Sequence, residues 1–581
     1  MEAYLTAQLR AALRALADDD AFGAPDDFDP DAVDLTFQAP KDQGHGDLAT
    51  SVALQLARPL KRAPRQIAEA LAERLRAALD ADRVESVEIA GPGFLNIRFS
   101  DRYLRRGLAD ILEAGDTFGR TDAGGGRKAI VEYVSANPTG PLTVGHGRNA
   151  VLGDTLSNLL DWTGYDVIRE YYFNDAGRQM RVLGQSVQAR YTAIARPDTP
   201  TKTLKDGAVV PEGFPEEGYL GGYIEEIARD LYDEHGDALL QEEDEKVFKE
   251  AAEQAIFADI TGSLDRLGIR HDEHFNERSL YDSNAVWNAI DRLKEKDLAY
   301  EKDGAVWFAT GQLGKTETGP DGEAVPKDTV LVKSSGEPTY RLPDIVYHLD
   351  KLERTAPDGL VLDVFGSDHI ATYPDVLRGI EALGGDPDRV DVVVYQFVTL
   401  VQGGEEVKMS TRKANYVTLD ELAEEVGADV VRFFFLMLSP NTHLNFDLDL
   451  AKEATEKNPV FYLQYAHARI CSIMRKAEEQ GLNVPEQPDL DRLTHEQETA
   501  LMKELLKLPD AIAFAAKRRE PHRLASYLRD VANQFSQFYR DCHILGEERA
   551  LGEARLALAS ATRTVLKNGL TVLGLSAPEQ M

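Results

Sequence analysis

KAIVEYVSANPTGPLTVGHGRNAVLGDTLSNLLDWTGYDVIREYY, residues 128–172, is the stretch from which the fold can be read. Lys128 to Val134 is a short apolar run of strand type, and Ser135 to Pro141 is dense in turn residues. Leu152, Leu156, Leu159 and Leu160 fall at helical spacing, Gly164 stands where a left-handed cap would end a helix, and Tyr165 to Tyr172 begins a second strand. Strand, loop, helix and strand make a βαβ unit, whose crevice opens beyond the carboxyl end of its first strand. Gly145, His146 and Gly147 lie at the helix entrance, where backbone N–H groups and the helix dipole favour an anion and glycines let a phosphate come close. A nucleotide phosphate is the expected guest.

Pro141-x-x-x-Gly145-His146 after a strand, paired with Lys408-Met409-Ser410 about 260 residues further on, resembles the two signatures of class I aminoacyl-tRNA synthetases, HIGH and KMSKS. The wording around them, VEYVSANPTGPL before the first and NPVFYLQYAHARI after the second, resembles arginyl-tRNA synthetases, and the likeness covers nearly the whole chain. The resemblance implies an ATP-dependent ligase that activates L-arginine and passes it to tRNA(Arg), with Mg²⁺ travelling with ATP and no resident metal. It also implies a monomer.

Length and composition agree with a large enzyme. At 581 residues with 43% apolar content, two to four domains are expected. No run of 18 apolar residues occurs and the N-terminal MEAYLTAQLRAALRAL is amphipathic, so a cytoplasmic chain with no membrane segment is expected. Cys471 and Cys542 are too few for a disulfide framework or a Cys-rich metal site; two buried thiols or a late pairing remain. A net charge of −34 opposes RNA binding on its face. The acids are spread through every segment, however, which reads as the bias of a salt-loving host, an archaeon, or else as an acidic binder of a basic partner. In molar salt the Debye length falls to about 3 Å, so those acids do not repel RNA over distance.

Three domains are expected. Residues 1–115 read as a small α+β domain: helix Tyr4 to Leu16, strand Asp31 to Phe37, helices Asp47 to Ala57 and Pro64 to Leu79, then strands Val84 to Ile89 and Phe94 to Phe99. Ala114 to Arg127 is the linker. Residues 122–425 form the catalytic region, a doubly wound (Rossmann-like) α/β domain interrupted by a surface insertion at Arg196 to Gly218. Its parallel sheet is expected to include Ala305 to Phe308, Thr329 to Lys333, Val361 to Phe365 and Val392 to Val398. From 428 to 581 the pattern is a helical bundle, with a bend at Asn445 to Asp447.

Several residues carry the chemistry. Glu132 is a carboxylate inside an apolar strand and needs a cation, either within the protein or on the substrate. By the resemblance, Glu132 and Asn137 hold the α-amino and neighbouring groups of arginine, while Tyr340 and Asp344 of TYRLPD grip the guanidinium. A planar fork of donors satisfies two rigid acceptors in a way a lysine ammonium does not. Gly366-Ser367-Asp368-His369 resembles the family's GxDH on the adenosine side of the pocket, or is a turn with a helix cap. His146 would donate to the α-phosphate, and Gly145 would line the ATP site. Lys408, Met409 and Ser410 would close on the other phosphates ahead of a helix started by the capping box Thr418-x-x-Glu421.

Two departures bear on rate. Thr143 stands where the family's first motif begins with histidine, and Thr411 replaces the second lysine of the second motif, with Arg412 just beyond. Slower activation is expected, and Arg412 could restore the charge. For RNA, Phe94 and Asn96 on one face of a strand suit an unpaired base at the tRNA elbow, or are a core Phe and a surface Asn. Tyr462, Tyr465 and the terminal Met581 are the expected anticodon contacts, unless the helix merely carries a half-buried aromatic stripe. Two alternatives stand beside the ligase: another nucleotidyl-transferring enzyme of the same fold, and a silent tRNA-binding paralogue.

Overall fold

The computed structural model describes residues 1–581 except 20–27, 39, 41–42, 175–176, 206, 242–244, 320 and 408–416. Its central sheet has five parallel strands: β1 (Lys128–Glu132), β2 (Asp166–Phe173), β3 (Glu273–Asn276), β4 (Leu360–Gly366) and β5 (Val390–Tyr395). They lie in the order β5-β4-β1-β2-β3. The winding direction therefore reverses between β1 and β4, which leaves a crevice at their carboxyl ends. Ala129 to Glu132 are all buried, as a strand covered on both faces requires.

Helix α1 (Val144–Trp162) follows β1 and is buried around nearly its whole circumference. Two glycines allow that. A Cβ on Gly153 would lie 2.1 Å from the Tyr133 side chain, and one on Gly147 would lie 2.5 Å from Leu419. Gly147 thus serves helix packing, whereas Gly145, at the same entrance, faces open space beside the Thr143 hydroxyl.

The doubly wound sheet is present, but two of the four strands assigned to it lie elsewhere. Ala305–Phe308 pairs antiparallel with Ala299–Lys302 and Thr329–Val332 in a separate sheet between β3 and β4. A four-residue run of β-branched and aromatic character fits either kind of sheet, because what separates them is burial against distant elements. The run Val392 to Val398 also breaks. Its first part completes β5, and Val398–Gln402 pairs in parallel with Leu444–Asp447, the segment expected to bend. Leu444 and Phe446 are buried while Asn445 and Asp447 are exposed, the alternation of a strand.

The N-terminal region is α+β with its own core, from Leu5 to Ile97. Helices Glu2–Asp18 and Pro64–Ala78 cover an antiparallel sheet with Phe94–Phe99 in the middle. Asp31 to Phe37 is not a strand. The third strand is instead Leu48–Thr50, inside the expected helix, where Gly46 passes so close that a Cβ would sit 2.8 Å from the Ile97 carbonyl oxygen. The expected insertion contains a small hairpin, Thr201–Thr203 with Val209–Pro211.

Helices Pro459–Glu479, Glu496–Leu505, Leu508–Arg518, His522–Asp541 and Arg549–Val572 make the C-terminal bundle, whose core is continuous with that of the catalytic sheet. Buried Arg432 stitches the two together: it donates to Asp154 of α1 at 2.5 Å, to the Leu267 carbonyl at 2.9 Å and to the Leu573 carbonyl at 3.2 Å. Cys471 and Cys542 are free, buried thiols. Among the described residues no helix is long and apolar enough to cross a membrane.

Candidate active site

The sheet register lines up four carboxylates side by side at the crevice floor. Asp363 on β4 neighbours Glu132 on β1, Glu132 neighbours Glu170 on β2, and Glu170 neighbours Glu273 on β3. Such a row is tolerable only with cations against it, and α2 (Arg341–Arg354), laid across the sheet, supplies them. Lys351, fully buried, donates to Glu132 at 2.5 Å and to Asp363 at 2.6 Å. Arg354 donates to Glu170 at 2.5 and 3.0 Å and to Glu273 at 3.2 Å, and the Tyr347 hydroxyl adds a bond to Glu170 at 2.6 Å. Glu132 therefore has its cation inside the protein, and its other oxygen accepts from Ser135 at 2.8 Å.

His348 completes the set. Its Nδ1 lies 2.6 Å from the Asp344 carbonyl oxygen and its Nε2 lies 2.8 Å from Asp363, and because both partners only accept, both nitrogens carry protons. Burial opposes that charge, yet the Asp363 and Glu132 carboxylates together outweigh it and raise the His348 pKa. Burial would likewise push Asp363 up, but Lys351 and His348 hold it down at about 2.

Asp344 is different. Among the described residues its carboxyl has no ion-pair partner, and burial, together with the nearby charges of Glu132 and Glu277, raises it to about 7 despite His348. It lies one turn into α2 from Tyr340, which is 67% exposed at the helix start. Asp344, one turn from Tyr340, thus lies near Glu132, the last residue of β1. Asn137 stands further out, its amide donating to Gln179 at 2.9 Å. Asp368 and His369 are exposed on the turn after β4, with the His369 ring stacked on Phe365 at 4.9 Å. His369 and Asp344 line one small cavity with Tyr373.

At the entrance to α1, His146 and Thr143 form a reciprocal cap. The Thr143 N–H donates to His146 Nδ1 at 3.2 Å, and the Thr143 hydroxyl lies 3.3 Å from the same nitrogen. Burial lowers the His146 pKa, so the ring is neutral near pH 7 and its proton sits on Nε2. Lys408, Met409, Ser410, Thr411 and Arg412 lie outside the described residues. The segment after them returns beside the first motif: Thr418 bridges Thr143, and the Leu419 N–H donates to the Leu142 carbonyl at 2.8 Å. The expected capping box is there, with Thr418 N–H to Glu421 at 2.7 Å and Glu421 N–H to the Thr418 hydroxyl at 3.1 Å. Arg266 and Ser263 hold that helix through Asp420, the Arg266 Nε at 2.9 Å and the Ser263 hydroxyl at 2.8 Å.

Sequence reasoning found Glu132 and Asp344 but missed Asp363, His348, Lys351 and Glu277. One signal was available: Asp344, His348 and Lys351 repeat at i, i+4 and i+7, one face of a helix.

The RNA candidates separate by exposure. Tyr465 and Arg469 project from helix Pro459–Glu479, with Arg469 also lying over the Tyr539 ring at 4.9 Å. Tyr462 is half-buried and bonds Asn533 at 2.8 Å. Gln464 and His467 of the same helix turn inward and tie down the chain end through Ser576 and Pro578. Met581 is exposed. In the N-terminal sheet Phe94 is half-buried and Asn96 is buried, so Asn96 is neither a surface residue nor open to a base.

Three family models match: Arginyl tRNA synthetase N terminal domain over residues 3–99, tRNA synthetases class I (R), catalytic domain over 108–432, and DALR anticodon binding domain over 463–581. The middle match, which spans more than half of the chain, together with the five-stranded sheet, defines a class I aminoacyl-tRNA synthetase. Arginine–tRNA ligases are similar over the full length: that of Salinibacter ruber is 60% identical over 584 residues, all of both chains, and that of Desulfotalea psychrophila is 49% identical over 95% of this chain and 96% of its own. The chain belongs to the arginyl-tRNA synthetase family. The solved Thermus thermophilus arginyl-tRNA synthetase shares its fold, with a TM-score of 0.75 and 22% identity over all of both chains. The archaeal source expected from the acid excess finds no support, since the relative at 60% identity is bacterial.

Proposed function

We propose that this crevice activates L-arginine with ATP, delivered as its Mg²⁺ complex, and passes the arginyl group to the 3′ end of tRNA(Arg). The observation that carries the reading is Asp344, an acid raised to about 7 by burial with no ion-pair partner among the described residues, one turn from exposed Tyr340 at the switch point of the sheet. A guanidinium arriving there brings the missing positive charge and draws the carboxyl into its ionised form. Glu132, already paired with Lys351, contributes to arginine binding as part of a rigid wall, with Asn137 nearer the mouth.

The arginine carboxylate attacks the α-phosphorus of ATP and expels pyrophosphate; a tRNA terminal hydroxyl then takes the arginyl group and AMP leaves. Both steps build negative charge on oxygen, so positioning and charge stabilisation do the catalysis. His146 Nε2–H donates to the α-phosphate beside Gly145. The Thr143 hydroxyl stands in the place of a second imidazole, which lowers the activation rate. Lys408, Met409, Ser410 and Arg412 hold the departing phosphates, a role supported by the bridge between Thr418 and Thr143. Asp368 and His369 line the adenosine side. Residues 122–425 carry the chemistry, while residues 1–115, through the half-buried Phe94, and residues 428–581, through Tyr462, Tyr465 and Met581, grip the tRNA. The chain acts as a monomer in the cytoplasm of a salt-loving host.

The test is arginylation of tRNA by the purified protein in molar KCl with ATP and Mg²⁺, beside His146→Ala. Salt-dependent product that falls about 10²–10³-fold in the variant supports the reading, by the size of one lost oxyanion donor. Intact tRNA binding with no product would leave only a silent paralogue.

A further inference from the structure

The chain leaves β1 in an uncommon conformation. Val134 has φ +68° and Ser135 has φ +40°, in the left-handed region that β-branched residues avoid. The Ser135 N–H donates to the Tyr133 carbonyl at 3.0 Å, two residues back, so Val134 is the centre of a γ-turn of the strained, positive-φ hand. Such a turn persists only where its surroundings over-determine it, and strain of this kind gathers at functional sites.

The surroundings here are specific. The Val134 N–H donates to Asn149 Oδ1 at 2.6 Å, and Asn149 Nδ2 donates to the Val364 carbonyl of β4 at 2.8 Å. Asn149 thereby ties the turn to α1 and to the strand across the switch point. Ser135 Oγ donates to Glu132 at 2.8 Å and accepts from the Tyr172 N–H at 3.1 Å, and the Tyr171 hydroxyl donates to the Ala136 carbonyl at 2.6 Å. The turn sets the direction in which Ser135 to Asn137 leave β1, and these bonds hold the segment where it emerges. Asn149 itself is buried, three residues beyond His146 on α1.

We propose that Asn149 is a positioning residue for arginine: it holds the strained Val134 turn that aims Ser135 to Asn137 into the crevice. The inference rests on the assignment of that crevice to arginine. It gives α1 two tasks, His146 toward ATP and Asn149 toward the amino acid. A merely structural Asn149 would lower stability and leave the balance of substrate affinities alone.

The experiment is arginine-dependent ATP–pyrophosphate exchange with tRNA present, for wild type, Asn149→Ala and the double variant Asn149→Ala/Val134→Gly. Without exchange in the wild type the functional reading fails, whatever the variants do. With it, Asn149→Ala is expected to raise KM for arginine about 10-fold and to move KM for ATP less than about twofold, the effect of one buried hydrogen bond. Glycine takes positive φ without strain, so the double variant should recover arginine KM to within about threefold of wild type. An unchanged arginine KM, equal shifts in both KM values, or no recovery by Val134→Gly overturns the proposal. Should Asn149→Ala not fold, Asn149→Asp, which keeps the acceptor, decides: arginine KM within about twofold of wild type supports it and a larger rise overturns it.

Discussion

Replacing Lys351 by Met removes the cation from the middle of the acid row while keeping a side chain of similar length. Lys351 is fully buried and lies 2.5 Å from Glu132 and 2.6 Å from Asp363, whose strands are adjacent. Breaking a buried pair from one side costs about 3–5 kcal/mol, because the charges left behind have no solvent. At about 2–4 °C per kcal/mol for a cooperative unit of 150–250 residues, Tm at pH 8 should fall by about 6–20 °C. The pH dependence tests the cause. In the wild type Asp363 is held at about 2, so its contribution is complete above the unfolded carboxylate value of about 4 and is lost only as pH falls through about 2. In Lys351→Met burial acts on the acid row without its central cation, while His348 still faces Asp363, so the row as a whole takes up a proton more readily. The folded variant then binds protons more tightly than the unfolded chain and gains stability as pH falls from 8 to 5. Calorimetry at pH 8, 6.5 and 5 should show the gap to wild type narrowing. A gap below about 1 kcal/mol, or one constant with pH, would refute the reasoning, since an exposed or already neutral pair behaves that way.

Three further outcomes are expected. Asp344, raised to about 7, costs the ligand-free protein stability as pH rises from about 4 through 7, so Asp344→Asn should raise Tm more at pH 8 than at pH 5. In the wild type KM for arginine should fall between pH 6 and pH 8 as the carboxyl ionises, and pyrophosphate exchange with Asn at this position should lose that dependence. Tyr465→Ala should raise Kd for tRNA by about 5- to 150-fold in filter binding, the worth of one stacked base at about 1–3 kcal/mol, and leave arginine KM at saturating tRNA unchanged.

The βαβ unit was readable because its signals are local: an apolar run, a turn-rich loop, leucines at helical spacing and a glycine where the helix ends. The long helices of the bundle were readable for the same reason. Errors fell where identity depends on a distant partner. Ala305–Phe308 and Thr329–Val332 have the composition of sheet strands, and only pairing says which sheet. Asn445–Asp447 looks like a bend until Val398–Gln402 is laid beside it, and Leu48–Thr50 becomes a strand because Gly46 lets it meet Ile97.

The site divides in the same way. Glu132 announces itself as a charge in an apolar strand, and Asp344, His348 and Lys351 share a helix face; both are properties of short stretches. That Asp363, Glu132, Glu170 and Glu273 stand in one row, and that Lys351 and Arg354 pair with it, follows from strand register and from how α2 crosses the sheet. By itself the sequence determined the family, through motif wording that resembles it, and the doubly wound catalytic fold, the helical C-terminal region and two acids, Glu132 and Asp344, because periodicity and turn chemistry are written within a few residues. Only the tertiary structure decided which acids are already satisfied and which turn is strained, because a buried charge is defined by its partners, and folding brings those partners from other parts of the chain.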